Sequence, residues 1–151
     1  MLSAGEDARM SDRMIESLGE AECLRLISPG GIGRIAYQSR FGPAILPVTY
    51  KLHEGAIVFR TTEHSPLDED LRTGIADAEY KVAFEIDEFD PAARQGWSVL
   101  IQGSAHHVQP GADHEAAEAA GVQPWPDGER ELFVRITPSR MTGRRIGARD
   151  L

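Results

Sequence analysis

The sequence predicts a mainly β protein: a small antiparallel β-barrel of about six strands with two or three peripheral helices. From about residue 31 onward, short stretches of alternating apolar and polar residues are separated by turn-forming residues. No part of the chain shows the strand–helix–strand alternation that is typical of a parallel sheet. Closure into a barrel is a common way for a small antiparallel sheet to remove its exposed edges, and this favours a barrel here.

The composition indicates one soluble domain. The 151 residues are enough for a single core, and we expect a flexible arm over residues 1–14 followed by one domain over residues 15–151. The net charge of −8 disfavours a nucleic-acid-binding surface, which needs an excess of Lys and Arg. The chain has no apolar run of roughly 18 residues and no apolar signal-peptide core. We therefore expect a cytoplasmic protein that binds neither nucleic acid nor a membrane.

The first helix is predicted to begin near Ser17, because Ser17 and Glu20 have the spacing of a capping box. It places Cys23 and Ile27 on one side and ends at a Pro-Gly-Gly sequence. Cys23 is the single cysteine, which excludes an intrachain disulfide and a cysteine-rich zinc site. Its apolar neighbours predict a buried, unreactive thiol.

Alternation and turn residues give the strands. The predicted strands comprise residues 32–38, 44–52, 56–61, 81–86, 97–108 and 131–137. Tight turns connect the first three, which therefore form a meander. Composition also predicts a short helix over residues 113–120, followed by a Pro- and Gly-rich link that contains Pro124 and Trp125.

A second helix is predicted directly after the third strand. Ser65 fits its N-cap, Pro66 its first helical position, and Asp68 the acidic residue of a capping box. Asp68 and Arg72 are spaced for an ion pair along the helix. The sequence therefore places a well-defined helix start immediately after a strand end.

That strand end carries groups that can bind phosphate. Arg60, Thr61 and Thr62 end the strand, and Ser65 follows at the helix start. Guanidinium groups, hydroxyls and the amides of a helix start are common phosphate ligands. Threonine is also common in strands, and serine at N-caps. The residues alone leave a phosphate cradle and an ordinary capped helix equally open.

Other motifs give little chemistry. The sequence contains no nucleophile elbow, P-loop, dinucleotide-binding glycine motif or zinc-protease motif. The histidines are scattered, and the adjacent His106 and His107 point to opposite faces of a strand, so we predict no metal site. Pro47 lies within a predicted strand and lacks a backbone donor. It indicates either a strand edge with backbone groups free for a ligand or simply an edge protected by proline.

Several short motifs occur in a recognisable order: Ile32-Gly33-Arg34-Ile35-Ala36, Pro47-Val48-Thr49-Tyr50, Val58-Phe59-Arg60-Thr61, Phe84-Glu85-Ile86-Asp87, Gly96-Trp97-Ser98-Val99, Pro124-Trp125 and Thr142-Gly143-Arg144-Arg145. This ordered set, over residues 18–146, resembles the pyridoxamine 5′-phosphate oxidase-like family. In particular it resembles the small actinobacterial-type flavin-binding split-barrel proteins, which include nitroimidazole-resistance-like reductases.

The resemblance implies a split β-barrel homodimer that binds FMN at the subunit interface. The cofactor-binding residues it implies are Pro47, Val48 and Thr49 beside the flavin ring, Arg60, Thr61, Thr62 and Ser65 beside the ribityl phosphate, and Trp97 and Ser98 in the same interface region. It also implies that Trp125 and Arg144 reach the site from the opposite subunit. Relatives commonly carry Asn in place of Thr49 and Lys in place of Pro66, so deazaflavin, haem or no cofactor stay open as alternatives to FMN.

The function implied is that of an FMN-dependent oxidoreductase acting on an unidentified small molecule. A flavin carries the electrons itself, so few catalytic side chains are needed, and no catalytic residue is identified from the sequence. Oxidation of pyridoxamine phosphate would require a second phosphate site with several basic residues, which the sequence does not reveal. The alternatives are a non-catalytic flavin, deazaflavin or haem carrier and a cofactor-free dimeric scaffold.

Overall fold

The computed structural model describes residues 15–72, 80–108, 121 and 131–147. These residues form seven strands and two helices, numbered in chain order as β1 (Ile15–Leu18), α1 (Glu20–Ile27), β2 (Gly31–Ser39), β3 (Gly42–His53), β4 (Ala56–Thr62), α2 (Pro66–Leu71), β5 (Tyr80–Asp90), β6 (Gln95–His107) and β7 (Glu131–Ile146). All of the strand pairs are antiparallel.

Six strands close into a barrel in the order β7-β4-β3-β2-β5-β6, and β6 pairs with β7 to complete the ring. The first part of β7 pairs with β4, and most of its length pairs with β6. The short strand β1 adds to the end of β7. The predicted antiparallel barrel of about six strands is confirmed, with β1 as an additional strand.

The main core consists of inward-facing residues that alternate along most of the strands, and Val58 of β4 forms a second, smaller buried cluster with Phe133 of β7. Three aromatic side chains pack at the centre of the main core: the ring centroids of Tyr50 and Phe84 are 5.6 Å apart in an edge-to-face arrangement, and those of Phe59 and Phe84 are 6.3 Å apart. All three are buried. The Tyr50 hydroxyl donates a hydrogen bond of 2.8 Å to the carbonyl oxygen of Ile27, which satisfies the one polar group of this cluster.

The two helices cover opposite ends of the barrel. In α1, Cys23 is fully buried, as predicted, and lies against Gly143, which pairs with Val99 near the start of β6. In α2, Asp68 contacts His107, the last residue of β6. Each helix therefore seals one end of the apolar core with its own buried side chains.

The predicted start of α1 is wrong. Ser17 lies in β1, opposite Arg144, and the N-cap is Gly19, which makes no side-chain capping bond. The reason is tertiary: pairing with β7 satisfies the backbone groups of residues 15–18 and overrides the local capping-box spacing. The final strand is also longer than predicted, because a bulge opposite Gln102 and Gly103 lets β7 continue through Pro138 to Ile146.

Some sequence predictions lie outside the described residues. These are the arm over residues 1–14, the helix over residues 113–120 and the link with Pro124 and Trp125. Within the described residues, neither helix has the length and apolar character needed to cross a membrane.

Gly33→Ala should destabilise the barrel by about 1–3 kcal/mol, because overpacking a tight core forces side chains off their preferred rotamers. A Cβ at position 33 would lie 2.2 Å from Cε1 of the fully buried Phe84. Urea denaturation measures the loss. Gly19→Ser is the control, since its Cβ meets nothing within 4 Å and serine suits an N-cap. The prediction would be contradicted if Gly33→Ala and Gly19→Ser were both as stable as the wild-type protein.

Candidate functional site

The barrel opens between two neighbouring strands. The ladder between β3 and β4 ends where Tyr50 lies opposite Phe59. Before Tyr50, residues 47–49 of β3 pair with β2, and after Phe59, residues 60–62 of β4 pair with β7. The two segments predicted to border a flavin, 47–49 and 60–62, therefore form the two sides of one opening.

The exposure of Leu46 indicates that this opening reaches solvent. Leu46 lies opposite Ile35 in the β2–β3 pair, so the two side chains point to the same face. Ile35 is fully buried, whereas Leu46 is 37% exposed. The inner face of β3 is thus accessible where β4 no longer covers it.

The side chains on the β4 side point in two directions. Because Phe59 faces the core, its neighbour Arg60 lies on the outer face, together with Thr62. The Arg60 guanidinium lies 4.8 Å from the centroid of the Phe133 ring, in a cation–π arrangement. Arg60 and Thr62 are therefore placed to meet a ligand from outside the barrel.

Thr61 and Ser65 lie on the other side of the strand from Arg60. Their hydroxyl oxygens are 3.0 Å apart, and the Ser65 oxygen accepts a hydrogen bond of 3.1 Å from the amide of Asp68. The predicted N-cap is confirmed. The structure brings Thr61 and Ser65 together at the helix start and separates them from the outward-facing Arg60 and Thr62.

Asp68 is the fully buried charged group of α2. Its carboxylate accepts hydrogen bonds from the His64 amide at 2.7 Å and from the predicted partner Arg72 at 3.2 Å, and Nε2 of His107 lies 2.6 Å from it. Burial by itself raises the pKa of Asp68, but the hydrogen bonds from His64, His107 and Arg72 outweigh it and hold the pKa below its ordinary value. The ionised carboxylate thus joins the loop after β4, α2 and the end of β6.

His64, Asp68 and Glu69 bring three potential metal-ligand atoms within 4.8 Å of one another. The Asp68 oxygens already accept the hydrogen bonds described above. The Arg72 guanidinium, 3.2 Å from the carboxylate, would also repel a cation. The geometry is that of a hydrogen-bonded structural cluster.

The predicted residues of β6 lie away from the opening. Trp97 faces inward and packs against the core, whereas Ser98 pairs with Arg144 on the outer face. Two strands, β2 and β5, separate β6 from β3 in the barrel. A single chain therefore does not bring Trp97, Ser98 and Arg144 together with the opening.

A charged cluster beside the opening was missed in the sequence. Arg34 lies opposite Pro47 on one side and Glu85 on the other, and its Nη1 atom is 3.4 Å from both the Glu85 and Asp87 carboxylates. The pKa of Glu85 is raised to about 7, and burial is the largest cause. The hydrogen bond with Asp87 and the negative charge of Asp87 also raise it, whereas Arg34 lowers it. The signal in the sequence that could have revealed this cluster is the spacing of Glu85 and Asp87, which places both carboxylates on one face of a strand. Glu85 can thus exchange a proton near neutral pH.

The fold agrees with comparisons to known proteins. The family model described as pyridoxamine 5′-phosphate oxidase matches residues 19–145. The uncharacterized protein Rv0080 of Mycobacterium tuberculosis is 33% identical over 138 residues, which cover 91% of this chain and 90% of that protein. The chain belongs to the pyridoxamine 5′-phosphate oxidase-like family, which confirms the predicted resemblance.

Two solved structures extend the comparison. The FAD binding protein from Mycobacterium smegmatis is 30% identical, with a TM-score of 0.71 over 87% of this chain and 99% of that chain. A Corynebacterium glutamicum protein is 26% identical, with a TM-score of 0.73 over 91% of this chain and 97% of that chain. The split-barrel fold is therefore shared along nearly the whole of these proteins.

Asp68→Asn should lower the free energy of unfolding at neutral pH by about 2–3 kcal/mol, because His64, Arg72 and His107 lose a charged and fully buried acceptor. The pKa of Asp68 is lowered by folding, so its stabilising effect is present above the ordinary carboxyl pKa of about 3.9 and is lost as the pH falls through the lower folded-state value. The difference between variant and wild type should therefore shrink at acid pH.

Urea denaturation at several pH values measures this difference. Glu69→Gln is the matched control, because the adjacent Glu69 is exposed and, among the described residues, its carboxylate pairs with the exposed side chain of His64. That substitution should change stability by less than about 1 kcal/mol. A similar loss in both variants would show that Asp68 has no special structural role.

Proposed function

We propose that this protein is a flavin-dependent oxidoreductase that binds FMN at the opening between β3 and β4 and acts on a small molecule. The observation that carries the proposal is the end of the β3–β4 ladder at Tyr50 and Phe59. It places residues 47–49 opposite residues 60–62 across a gap that leads to solvent. Family membership and the 30% identity to an FAD binding protein support a flavin as the ligand.

The β3 side of the gap suits the polar edge of a flavin ring. Pro47 has no backbone donor, and Val48 and Thr49 pair with β2 but not with β4. Backbone groups that face the gap are therefore outside the β3–β4 ladder and can bond the ring carbonyls and nitrogens. This supports recognition of the ring largely through the backbone.

The β4 side of the gap suits a phosphate. Arg60 and Thr62 lie on the outer face and offer a guanidinium and a hydroxyl, which are strong ligands of a phosphate dianion. Pro66 stands where relatives commonly carry a lysine, so Arg60 is the cation that this side contributes. Its stacking on Phe133 fixes the guanidinium beside the gap and reduces the entropy lost on binding.

The bound flavin would supply the electron transfer, and the chain would bind and orient it. Glu85 on β5 lies on the same outer face as Pro47 on β3. Arg34 on the intervening strand β2 pairs with both residues. With its pKa raised to about 7, Glu85 can hold or release a proton at neutral pH. It is the side chain that we assign to proton movement near the site.

A homodimer forms part of the proposal. Ser98 and Arg144 lie on the outer face away from the opening of their own chain, so they are placed to contribute to the site of a partner subunit, whereas the Trp97 side chain packs against the core of its own chain. Exposed apolar side chains on the outer face, Ile32 and Leu100, support an interface there.

Purified protein titrated with FMN should bind it at micromolar concentrations, with quenching of flavin fluorescence and a two-banded visible spectrum. Parallel titrations with FAD, a deazaflavin and riboflavin identify the preferred form. A Soret band in the purified protein would instead support a haem carrier. Absence of binding by every flavin at micromolar concentrations would contradict the proposal and favour a cofactor-free scaffold.

Arg60→Ala should weaken FMN binding by about 10- to 100-fold and riboflavin binding by less than about threefold, because only FMN carries the phosphate. Arg60→Met keeps an apolar stem against Phe133 and removes the charge, so it should show the same selectivity. Arg25→Ala is the control, since this exposed side chain pairs with Glu22 on α1. Equal losses for FMN and riboflavin would remove Arg60 from the phosphate site.

A further inference from the structure

A groove with a volume of about 880 Å³ lies on the outer face of the barrel. Its lining comes from β2, β3, β5, β6 and β7, and it is separate from the gap between β3 and β4. Its central residues are Ala36 and Ala83, which pair across β2 and β5, with Ile45 next to Ala36 on β3. The short alanine side chains leave depth at the centre, and the floor at this end is apolar.

A bulge in β7 forms the other side of the groove. Gln102 lies opposite Arg140 and Gly103 lies opposite Pro138, so Ser139 is the extra residue. The Ser139 hydroxyl donates a hydrogen bond of 3.0 Å to the carbonyl oxygen of Gln102, which fixes the bulge. Bulges bend a strand and redirect its side chains, and here Arg140 projects from the outer face of β7 into the lining.

Gly103 makes this close packing feasible. A Cβ at position 103 would lie 2.1 Å from the carbonyl oxygen of Thr137. Any side chain there would push β7 away from β6 and change the shape of the groove. The groove therefore depends on a backbone arrangement and not only on flexible surface side chains.

The lining has a positive charge in a chain whose net charge is −8. Lys81 and Arg140 are its cations, and none of the lining residues is Asp or Glu. Neither cation forms an ion pair with another residue in the described part of the chain. Two cations that face one groove without a carboxylate favour an anionic ligand.

The two cations flank neutral donors. Lys81 lies opposite Ser104 and Arg140 lies opposite Gln102, so the two cations are separated by one strand across the sheet and by two residues along it, a backbone spacing of roughly 12 Å. Their long side chains can reach the same anionic group from both sides. The Ser104 hydroxyl and the Gln102 amide can donate hydrogen bonds between them.

We propose that this groove binds a small organic anion, in which a carboxylate or phosphate ester is attached to a flat apolar body. The anion would lie between Lys81 and Arg140, above Gln102 and Ser104. The apolar body would cover the alanine floor towards Ile45. This site is distinct from the flavin opening and does not depend on flavin binding.

Calorimetric titration of the full chain with 1-naphthoate, without added flavin, tests the proposal. We expect 1-naphthoate to bind more tightly than the uncharged 1-naphthamide, and its binding to weaken as salt is added. Lys81→Gln and Arg140→Gln should each weaken binding of 1-naphthoate by about tenfold. Ala83→Leu should weaken both probes, because its side chain fills the floor. A parallel titration with 1-naphthyl phosphate shows which headgroup is preferred.

Lys51→Gln is the matched control, because Lys51 is the other lysine of the sequence and its Nζ donates to the carbonyl oxygen of Pro29. It should leave binding unchanged. The exposed positions 81 and 140 should tolerate glutamine, so these two variants decide the outcome if Ala83→Leu unfolds. Equal affinities for naphthoate and naphthamide, no binding, or unchanged binding in Lys81→Gln and Arg140→Gln would overturn the proposal. Arg60→Met should retain naphthoate binding, because Arg60 does not line the groove. The proposal for the groove and the proposal for the flavin opening can therefore be tested independently.

Discussion

β7 holds the barrel together because it pairs with β1, β4 and β6. A sheet without this strand would expose the edges of both β4 and β6, with unpaired backbone groups along each. Closure through β7 also allows β3 and β4 to separate at one end without opening the core along its whole length. The candidate flavin opening is thus a local interruption in a ring that is closed elsewhere.

The second constraint is the buried carboxylate of Asp68. It joins the loop after β4 to α2 and to the end of β6 through His64, Arg72 and His107. These contacts fix the helix next to the strand end that carries Arg60. A buried charge is costly unless it is fully hydrogen-bonded, and Asp68 meets that condition. The position of the β4 side of the opening therefore depends on a group that does not itself face the ligand.

Local chemistry was predictable where the partners are close in sequence. The Ser65 cap and the Asp68–Arg72 pair were predicted because each involves residues three or four positions apart. The helix start at Ser17 failed because the partner that decides it, Arg144 in β7, lies far away in the chain. The contact between His107 and Asp68 was not predicted, because the two residues are 39 positions apart in the sequence.

The linear sequence was enough to predict the antiparallel barrel, the positions of its six main strands along the chain, the burial of Cys23 and the family. Alternation of apolar residues and turn chemistry act over a few residues, and the family motifs are read in order along the chain. Three arrangements become visible in the folded chain alone: residues 47–49 and 60–62 face each other across a gap, Arg34 joins Glu85 and Asp87, and Lys81 and Arg140 share a groove. Strand register and the β7 bulge bring these side chains together, and both depend on pairing between segments that the linear sequence keeps apart.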